Sequence, residues 1–449
     1  MLDGELRSEV INAGVWRLFT KFALPSVFGM LLYAIYFFID AIFVGQWVGK
    51  EALAAISIVY PITLLSSGIL SFMGMGFASL VSRSIGSGDR NTFSQILSAN
   101  TILVFLFSIL FSIGAFIFAG PLVAFMGGRG NIKDLGSQYL RIVGLAAFLT
   151  NFNGSTNMLI RAEGKTKAAM ILIGVGSLLN ICLDIVFIKI LGMGVEGAAV
   201  ATAISMALTG IVTVLYLVYG ESDLRFNTQG LRRAPRLLRT IAPVGLSGLS
   251  MQLMGLVHQS MLLKSVSHYG SGDDLALMGA SLNMLAFVGI PLWGISQGLQ
   301  PVIGINFGAG NNEKIKEAFV KFLGAATAIA TLVWIVFMLF PSSMLRLYIS
   351  DPNLTETGAD SFRIFMAILS LQGISLLGTT YFQSIGKGST ASLILLFDDV
   401  ILIAPFVLIL PRFFGLEGIW ISVPVSELLI ALFVSIITIR ALNKRKSND

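Results

Sequence analysis

FALPSVFGMLLYAIYFFIDAI, residues 22–42, carries one charged side chain, Asp40, in an otherwise uncharged and mostly apolar run. As an α-helix it is long enough for a bilayer core about 30 Å thick. It has no cleavage-like end, so it reads as a first membrane span and not as a removable leader. Working outward from it, runs of the same kind recur along the whole chain. Twelve candidates lie at roughly 16–45, 52–83, 95–119, 138–160, 168–190, 196–219, 236–264, 275–306, 318–340, 360–383, 389–411 and 416–440. Pro25 and Pro243 stand early in two long spans, where the missing N–H predicts a bend.

Composition agrees with this reading. Of the 449 residues 55% are hydrophobic and only 12% charged, about half the charge of a soluble domain. A water-soluble fold has nowhere to bury so much apolar surface, whereas in a bilayer hydrocarbon is the solvent. The net charge of +6 points to orientation in the membrane and not to nucleic acid. With the amino terminus in the cytoplasm, 21 of the 30 basic residues fall in inner segments, among them Arg83, Arg90, Arg232, Arg233, Arg445 and Lys446. The positive-inside rule and the even span count both place the two termini there. The one cysteine, Cys182, excludes an intramolecular disulfide and a CxxC metal site, and reads as a small buried apolar residue.

The chain repeats itself. Gly86-Ser87-Gly88-Asp89 after span two matches Gly308-Ala309-Gly310-Asn311 after span eight, and Gly164-Lys165 matches Gly386-Lys387. Gly194-Val195-Glu196-Gly197 matches Gly415-Leu416-Glu417-Gly418, and the three offsets are 222, 222 and 221. The expected fold is therefore all-α: a polytopic membrane protein of twelve transmembrane helices in two six-helix lobes, 1–222 and 236–449. The basic cytoplasmic loop 223–235 joins them. Parallel repeats of this kind form sites between or within their halves.

Polar groups inside spans mark the candidate site, because an acid at mid-membrane costs about 2.5–3.5 kcal/mol and persists only when something offsets it. Asp40 lies in span one. Asn180 and Asp184, four apart, share one face of span five. Thr202 follows the small-residue run Gly197-Ala198-Ala199, which lets span six approach closely. Asn153 and Asn157 make another i,i+4 pair in span four, and Tyr36 lies one turn before Asp40. Carboxylate, amide and hydroxyl oxygens suit a hard cation, and two carboxylates in a dry cavity repel unless a proton or Na⁺ joins them. In the second half, His258 occupies the position of Asp40 when the two prolines are aligned. Met251, Met254 and Met261 share roughly its helix face. Asp398, Asp399 and Glu427 are further candidates. The 222 offset carries Asp184 to Phe406, so a cation site confined to the first lobe is expected.

These residues resemble the multidrug and toxic compound extrusion (MATE) family, in its DinF-like prokaryotic branch. The similar segments are Ile39-Asp40-Ala41-Ile42-Phe43-Val44-Gly45, Ser82-Arg83-Ser84-Ile85-Gly86-Ser87-Gly88-Asp89, and Asn157-Met158-Leu159-Ile160-Arg161-Ala162-Glu163-Gly164-Lys165. They continue in Leu179-Asn180-Ile181-Cys182-Leu183-Asp184 and in the run from Gly192 to Thr202. The resemblance implies a V-shaped pair of bundles that exports cationic or amphipathic drugs in exchange for H⁺ or Na⁺. It implies a first-lobe cation site at Asp40, Asn180, Asp184 and Thr202, with Asn157 in the same cavity and a bend at Pro25. Two departures stand out. Ile185 replaces the proline that many relatives carry after the span-five acid. The acids that some branches use in spans seven and ten are absent, with His258 and Gln372 there instead.

The resemblance further implies a monomer in the bacterial inner membrane, with lipid and small molecules as its partners. No cofactor and no enzyme activity are expected. Gly192-Met193-Gly194-Val195-Glu196-Gly197 fits GxGxxG by letter but lies between two membrane spans. Gly164-Lys165-Thr166 fails as a phosphate loop because Leu159 stands where glycine is required. Two histidines and one cysteine assemble no catalytic constellation. Without an ATP site a gradient must supply the energy, and one charge crossing 100 mV, worth about 2.3 kcal/mol, supports a roughly 50-fold substrate gradient. A flippase for lipid-linked oligosaccharides shares the two-lobed plan, but its cavity needs basic residues for pyrophosphate, and few fall in mid-span here.

Overall fold

A computed structural model of the chain describes residues 4–446. The backbone is helical, and among the described residues no strand forms. Twelve helices account for the expected spans: α1 (Val15–Val48), α2 (Lys50–Ser87), α3 (Arg90–Ile117), α4 (Gly130–Leu145 and Ala147–Ala162), α5 (Thr166–Ile190), α6 (Gly194–Tyr219), α7 (Thr228–Tyr269), α8 (Gly272–Gly308), α9 (Asn312–Leu339), α10 (Ala359–Ser384), α11 (Gly388–Phe414) and α12 (Leu416–Lys446). The side chains of Arg445 and Lys446, counted above among the inner cations, lie outside the described residues.

Eleven of the twelve are long and apolar enough to cross a membrane. The exception, α4, breaks at Ala146 and buries Asn151, Asn153, Ser155, Thr156, Asn157 and Arg161. Several of its polar groups find partners on neighbouring helices. Asn151 Nδ2 donates to Ser66 Oγ at 3.1 Å and Ser108 Oγ at 2.9 Å, and Asn100 Nδ2 donates to Ser155 Oγ at 3.1 Å. A helix wrapped by protein in this way does not need an apolar surface of its own.

The sequence repeat is also a repeat of backbone conformation. Gly88 and Gly310 take the left-handed φ values +73° and +76°, which only glycine adopts without strain. The next residue in each case caps a helix: Asp89 accepts from Thr92 N and Asn311 from Lys314 N. One expectation needs amending. The presumed loop 223–235 is helical from Thr228 onward, because Asn227 accepts from Gln229 N at 2.9 Å and starts α7 early. Cys182, expected to be buried, is exposed on α5. An apolar side chain on a membrane helix gains nothing by turning inward when hydrocarbon lies outside.

The two halves meet along α1, α2, α7 and α8, and the seam is made of glycine. A Cβ built on Gly86 of α2 would stand 2.0 Å from the Ile305 carbonyl oxygen of α8. One built on Gly308 of α8 would stand 2.2 Å from the Arg83 oxygen, and one on Gly298 2.5 Å from Ala23 Cα of α1. Such small residues let backbones touch where apolar burial cannot drive association. Hydrogen bonds cross the same region, Ser79 Oγ to Gln383 O at 2.6 Å and Gln300 Nε2 to Ser82 Oγ at 2.9 Å. Beneath the seam, the short helix Gly4–Asn12 touches both halves: Arg7 Nε donates to Gly86 O at 2.8 Å and Asn306 Nδ2 to Val10 O at 3.4 Å. These contacts lie toward the ends of α2 and α8 nearest both chain termini. Toward the opposite ends Gly255 and Gly279 have nothing within 4 Å, and Tyr33, Phe37, Tyr60 and Phe287 are exposed. The close approaches between the halves are thus concentrated on one side.

Candidate functional site

Pro25 sets the path of α1. Its ring leaves the Lys21 carbonyl, four residues back, without a helical donor. The turn Phe19–Ala23 widens to a π-helical one, and the Thr166 hydroxyl at the start of α5 donates to Lys21 O at 2.9 Å. This side-chain bond fixes α1 to α5 at the level of the bend. Farther along, α1 brings Asp40 opposite Asp184 of α5, and the two carboxyl groups come within hydrogen-bonding reach of each other. Asn180 and Asp184 are fully buried. Asn180 Nδ2 donates to Thr202 Oγ1 at 3.4 Å, so α6 closes the group from a third side. Directly after Asp184 the helix again widens into a π-helical turn, Ile185–Ile190, a local irregularity frequent at functional sites.

What distinguishes this cluster is the lack of donors. Neither oxygen of Asp184, nor Asp40 Oδ1, nor Asn180 Oδ1 accepts a hydrogen bond from the protein, although each is shielded from solvent. A buried acceptor of this kind costs about 1–3 kcal/mol or more unless something supplies positive charge. Facing carboxyl groups can share one proton or flank a monovalent cation, with the Asn180 amide oxygen as a further ligand. No group of three or more His, Cys, Asp or Glu side chains suited to a bound metal occurs among the described residues.

The remaining sequence candidates are distributed differently. Tyr36 is close enough to both carboxyl groups to interact with them electrostatically, and so is Tyr139 of α4, which sequence reading missed. Nothing in the local pattern around Tyr139 signalled a site, since only the packing of α4 turns it there. Asn153 Nδ2 donates to Met206 O at 2.7 Å and ties α4 to α6, while its Oδ1 stays without a partner. Asn157 is engaged elsewhere: it donates to Ala169 O at 2.8 Å and accepts from Arg161 Nε at 2.9 Å. That places it at the α4–α5 joint and not beside Asp40. In the second half, His258 Nδ1 lies 3.2 Å from Asp399 Oδ1, and His258 faces a cavity lined by Met251 and not by Met254.

At the end of α4, the buried Glu163 reaches the connection between the halves. Its carboxylate accepts from Ser222 Oγ at 2.7 Å, from Leu224 N at 3.3 Å and from Asp223 N. Burial, the largest influence, pushes the Glu163 carboxyl up from 4.5 to about 7. A carboxyl raised on folding stabilises the folded state fully below its unfolded value, and that contribution is lost as pH rises through the folded value. The shift corresponds to about 3 kcal/mol. The thermal unfolding midpoint of the purified protein should therefore fall between pH 5 and pH 8, and Glu163→Gln should flatten that dependence. A variant with an unchanged pH profile refutes this account of the joint.

Comparison with known proteins gives concordant results. The MatE family model matches twice, over residues 25–186 and 243–409, and the two matches begin at the paired prolines Pro25 and Pro243. The chain is 26% identical over 425 residues to the multidrug export protein MepA of Staphylococcus aureus (strain MRSA252), covering 94% of this chain and 93% of that protein. It is 25% identical over 440 residues to MepA of Staphylococcus haemolyticus (strain JCSC1435), covering 98% and 96%. Among solved structures, one described as the outward-facing conformation of a multidrug resistance MATE family transporter superposes with a TM-score of 0.92 at 24% identity, covering 98% of each chain. A MOP superfamily transporter from Pyrococcus furiosus gives 0.89 at the same identity, again over 98% of each.

Proposed function

The chain belongs to the MATE family, and from that premise we propose that it is a secondary active exporter that antiports cationic or amphipathic small molecules against H⁺ or Na⁺. The observation that carries this reading is the donor-free pair Asp40 and Asp184, beside the bonded pair Asn180 and Thr202. Charge compensation there has to come from a mobile cation, which is what a coupling site requires. The seam offers the second element. Contacts concentrated on one side fit alternation by rocking two lobes, 1–222 and 236–449, about the connection at 223–235. Cation binding at the pair favours the state open to the far side, where substrate leaves, and substrate binding favours the reverse. By linkage the two effects are equal in free energy. Both termini lie in the cytoplasm in this reading, the protein works as a monomer in a bacterial inner membrane, and Tyr36 and Asn153 line the substrate path.

The test is transport in proteoliposomes with pH and Na⁺ gradients imposed separately. A fluorescent organic cation should move uphill when at least one gradient is present and not when ATP alone is supplied. Movement that responds to neither gradient excludes antiport.

A further inference from the structure

The start of α7 carries a stripe of arginine that no part of the transport mechanism uses. Arg232, Arg233, Arg236 and Arg239 are all exposed, and from Leu224 to Gly272 the chain contains no acidic residue. Among the described residues none of the four takes part in an ion pair. Helical spacing puts Arg232, Arg236 and Arg239 within about 60° of one another, with Arg233 on their flank. The opposite face is fixed inward: Ala234, Leu237 and Ile241 are buried. A Cβ on Gly230 would stand 2.4 Å from the Gln95 carbonyl oxygen of α3, and Asn227 N donates to Ser98 Oγ at 2.6 Å. The stripe therefore points away from the bundle, sideways in the plane of the membrane. Farther along α7 the same face carries Leu246 and Val257, both exposed, at whole-turn spacings beyond Arg239. Exposed apolar side chains on a membrane helix look onto hydrocarbon. The arginines stand where that lipid-facing surface leaves the hydrocarbon.

We propose that this stripe is a docking surface for anionic phospholipid headgroups in the leaflet nearest the chain termini. From Arg232 to Arg239 the helix rises about 10 Å, comparable with a headgroup layer of about 5–8 Å. A guanidinium binds phosphate oxygens through two parallel N–H donors, and guanidinium groups without acidic partners favour a headgroup of net negative charge over a zwitterionic one. An acyl chain running inward from a headgroup bound there meets Leu246. The positive-inside rule accounts for basic residues at this end of the chain, but not for their confinement to the outward side of α7. A soluble polyanion such as RNA would have to approach from the side, where lipid stands, so the direction of the stripe selects the membrane. The proposal needs only that α7 crosses the bilayer and does not depend on what the protein exports.

The test reconstitutes the full-length protein in phosphatidylcholine vesicles with a trace of a diazirine-bearing phospholipid, whose headgroup is either phosphatidylglycerol or phosphatidylcholine. After illumination, mass spectrometry reads how much of each probe attaches to the peptide 224–246. The phosphatidylglycerol probe should exceed the phosphatidylcholine probe about fivefold or more, and the excess should shrink as salt is raised. Arg232→Gln, Arg236→Gln and Arg239→Gln combined should bring the two probes to near equality. Lysine at the same three positions should keep most of the preference. Lys264→Gln, exposed at the far end of the same helix, should change nothing. The melting point of each variant, measured in parallel, checks that it folds. Should the glutamine variant fold poorly, competition on the wild-type protein decides. Unlabelled phosphatidylglycerol should displace the probe, and an excess of inorganic phosphate should not. Equal attachment of the two probes to the wild-type peptide overturns the proposal. So does an undiminished preference in the folded glutamine variant, or displacement by inorganic phosphate, which makes the stripe a site for soluble anions.

Discussion

Asp40→Asn and Asp184→Asn are each expected to abolish uphill export while leaving a folded protein in the membrane. Asparagine keeps the size of the side chain and removes the charge that a proton or Na⁺ neutralises. In Asp184→Asn the new amide can donate to Asp40, so an internal bond satisfies the pair and the cation loses its place. The gradient worth about 2.3 kcal/mol per charge at 100 mV then no longer acts on the substrate. A concentration ratio of up to about 50-fold should collapse toward unity. Folding should survive, since neither Asp184 oxygen holds a partner in the structure whose loss would be felt. The check is accumulation of a fluorescent cation in inverted vesicles, with protein amount and melting point measured in parallel. Wild-type ratios in both variants rule out this pair as the coupling site.

The second large effect belongs to the seam. Gly86→Val should prevent the halves from closing on the side nearest the termini. Its Cβ alone would stand 2.0 Å from a backbone oxygen of Ile305, and backbone on both sides leaves no flexible group to move away. Overpacking of this kind costs about 1–3 kcal/mol, a shift of roughly 5- to 150-fold in a two-state equilibrium. Export should fall by a similar factor, because one of the two required states is depleted. Accessibility reports the same shift directly. Ser79 is 1% exposed where its hydroxyl bridges to Gln383. In a background lacking Cys182, Ser79→Cys should react slowly with a maleimide and about tenfold or more faster once Gly86→Val is added. Gly279→Ala, with nothing within 4 Å, should change neither reading. Slow labelling in the Gly86→Val background argues against the Gly86 contact as what closes the seam.

Much of this architecture was legible in the chain itself. The membrane helices follow from apolar length. The repeat follows from glycine turns at constant offset, because a left-handed residue followed by a capping side chain leaves a signature that survives divergence of the helices between. Asp40, Asn180, Asp184 and Thr202 come together because each was a polar exception on a helix whose neighbours were forced by short connections. Two things were not legible. Tyr139 comes near the acid pair only through the packing of α4, which the sequence marks as a span without showing which way its faces turn. Asn157 looked like part of the cavity because i,i+4 spacing gives a shared face but not which neighbour that face meets. The second-lobe acids were legible as polar exceptions inside spans but not through the repeat: Asp184 is 18 residues from the start of α5, whereas Asp399 is 11 from the start of α11. At about 1.5 Å per residue this moves the acids some 10 Å along the helix, where a fixed offset does not look for them.

The glycine seam has a consequence for how such a protein can diversify. Its close approaches involve main chain on both sides, and the main-chain atoms are the same whatever side chains surround them. The chamber walls of either bundle can therefore exchange aromatic, thioether and acidic residues without disturbing the joint on which rocking depends. Selectivity and mechanics are inherited separately, so new cargo can be acquired by local change while the hinge stays constant.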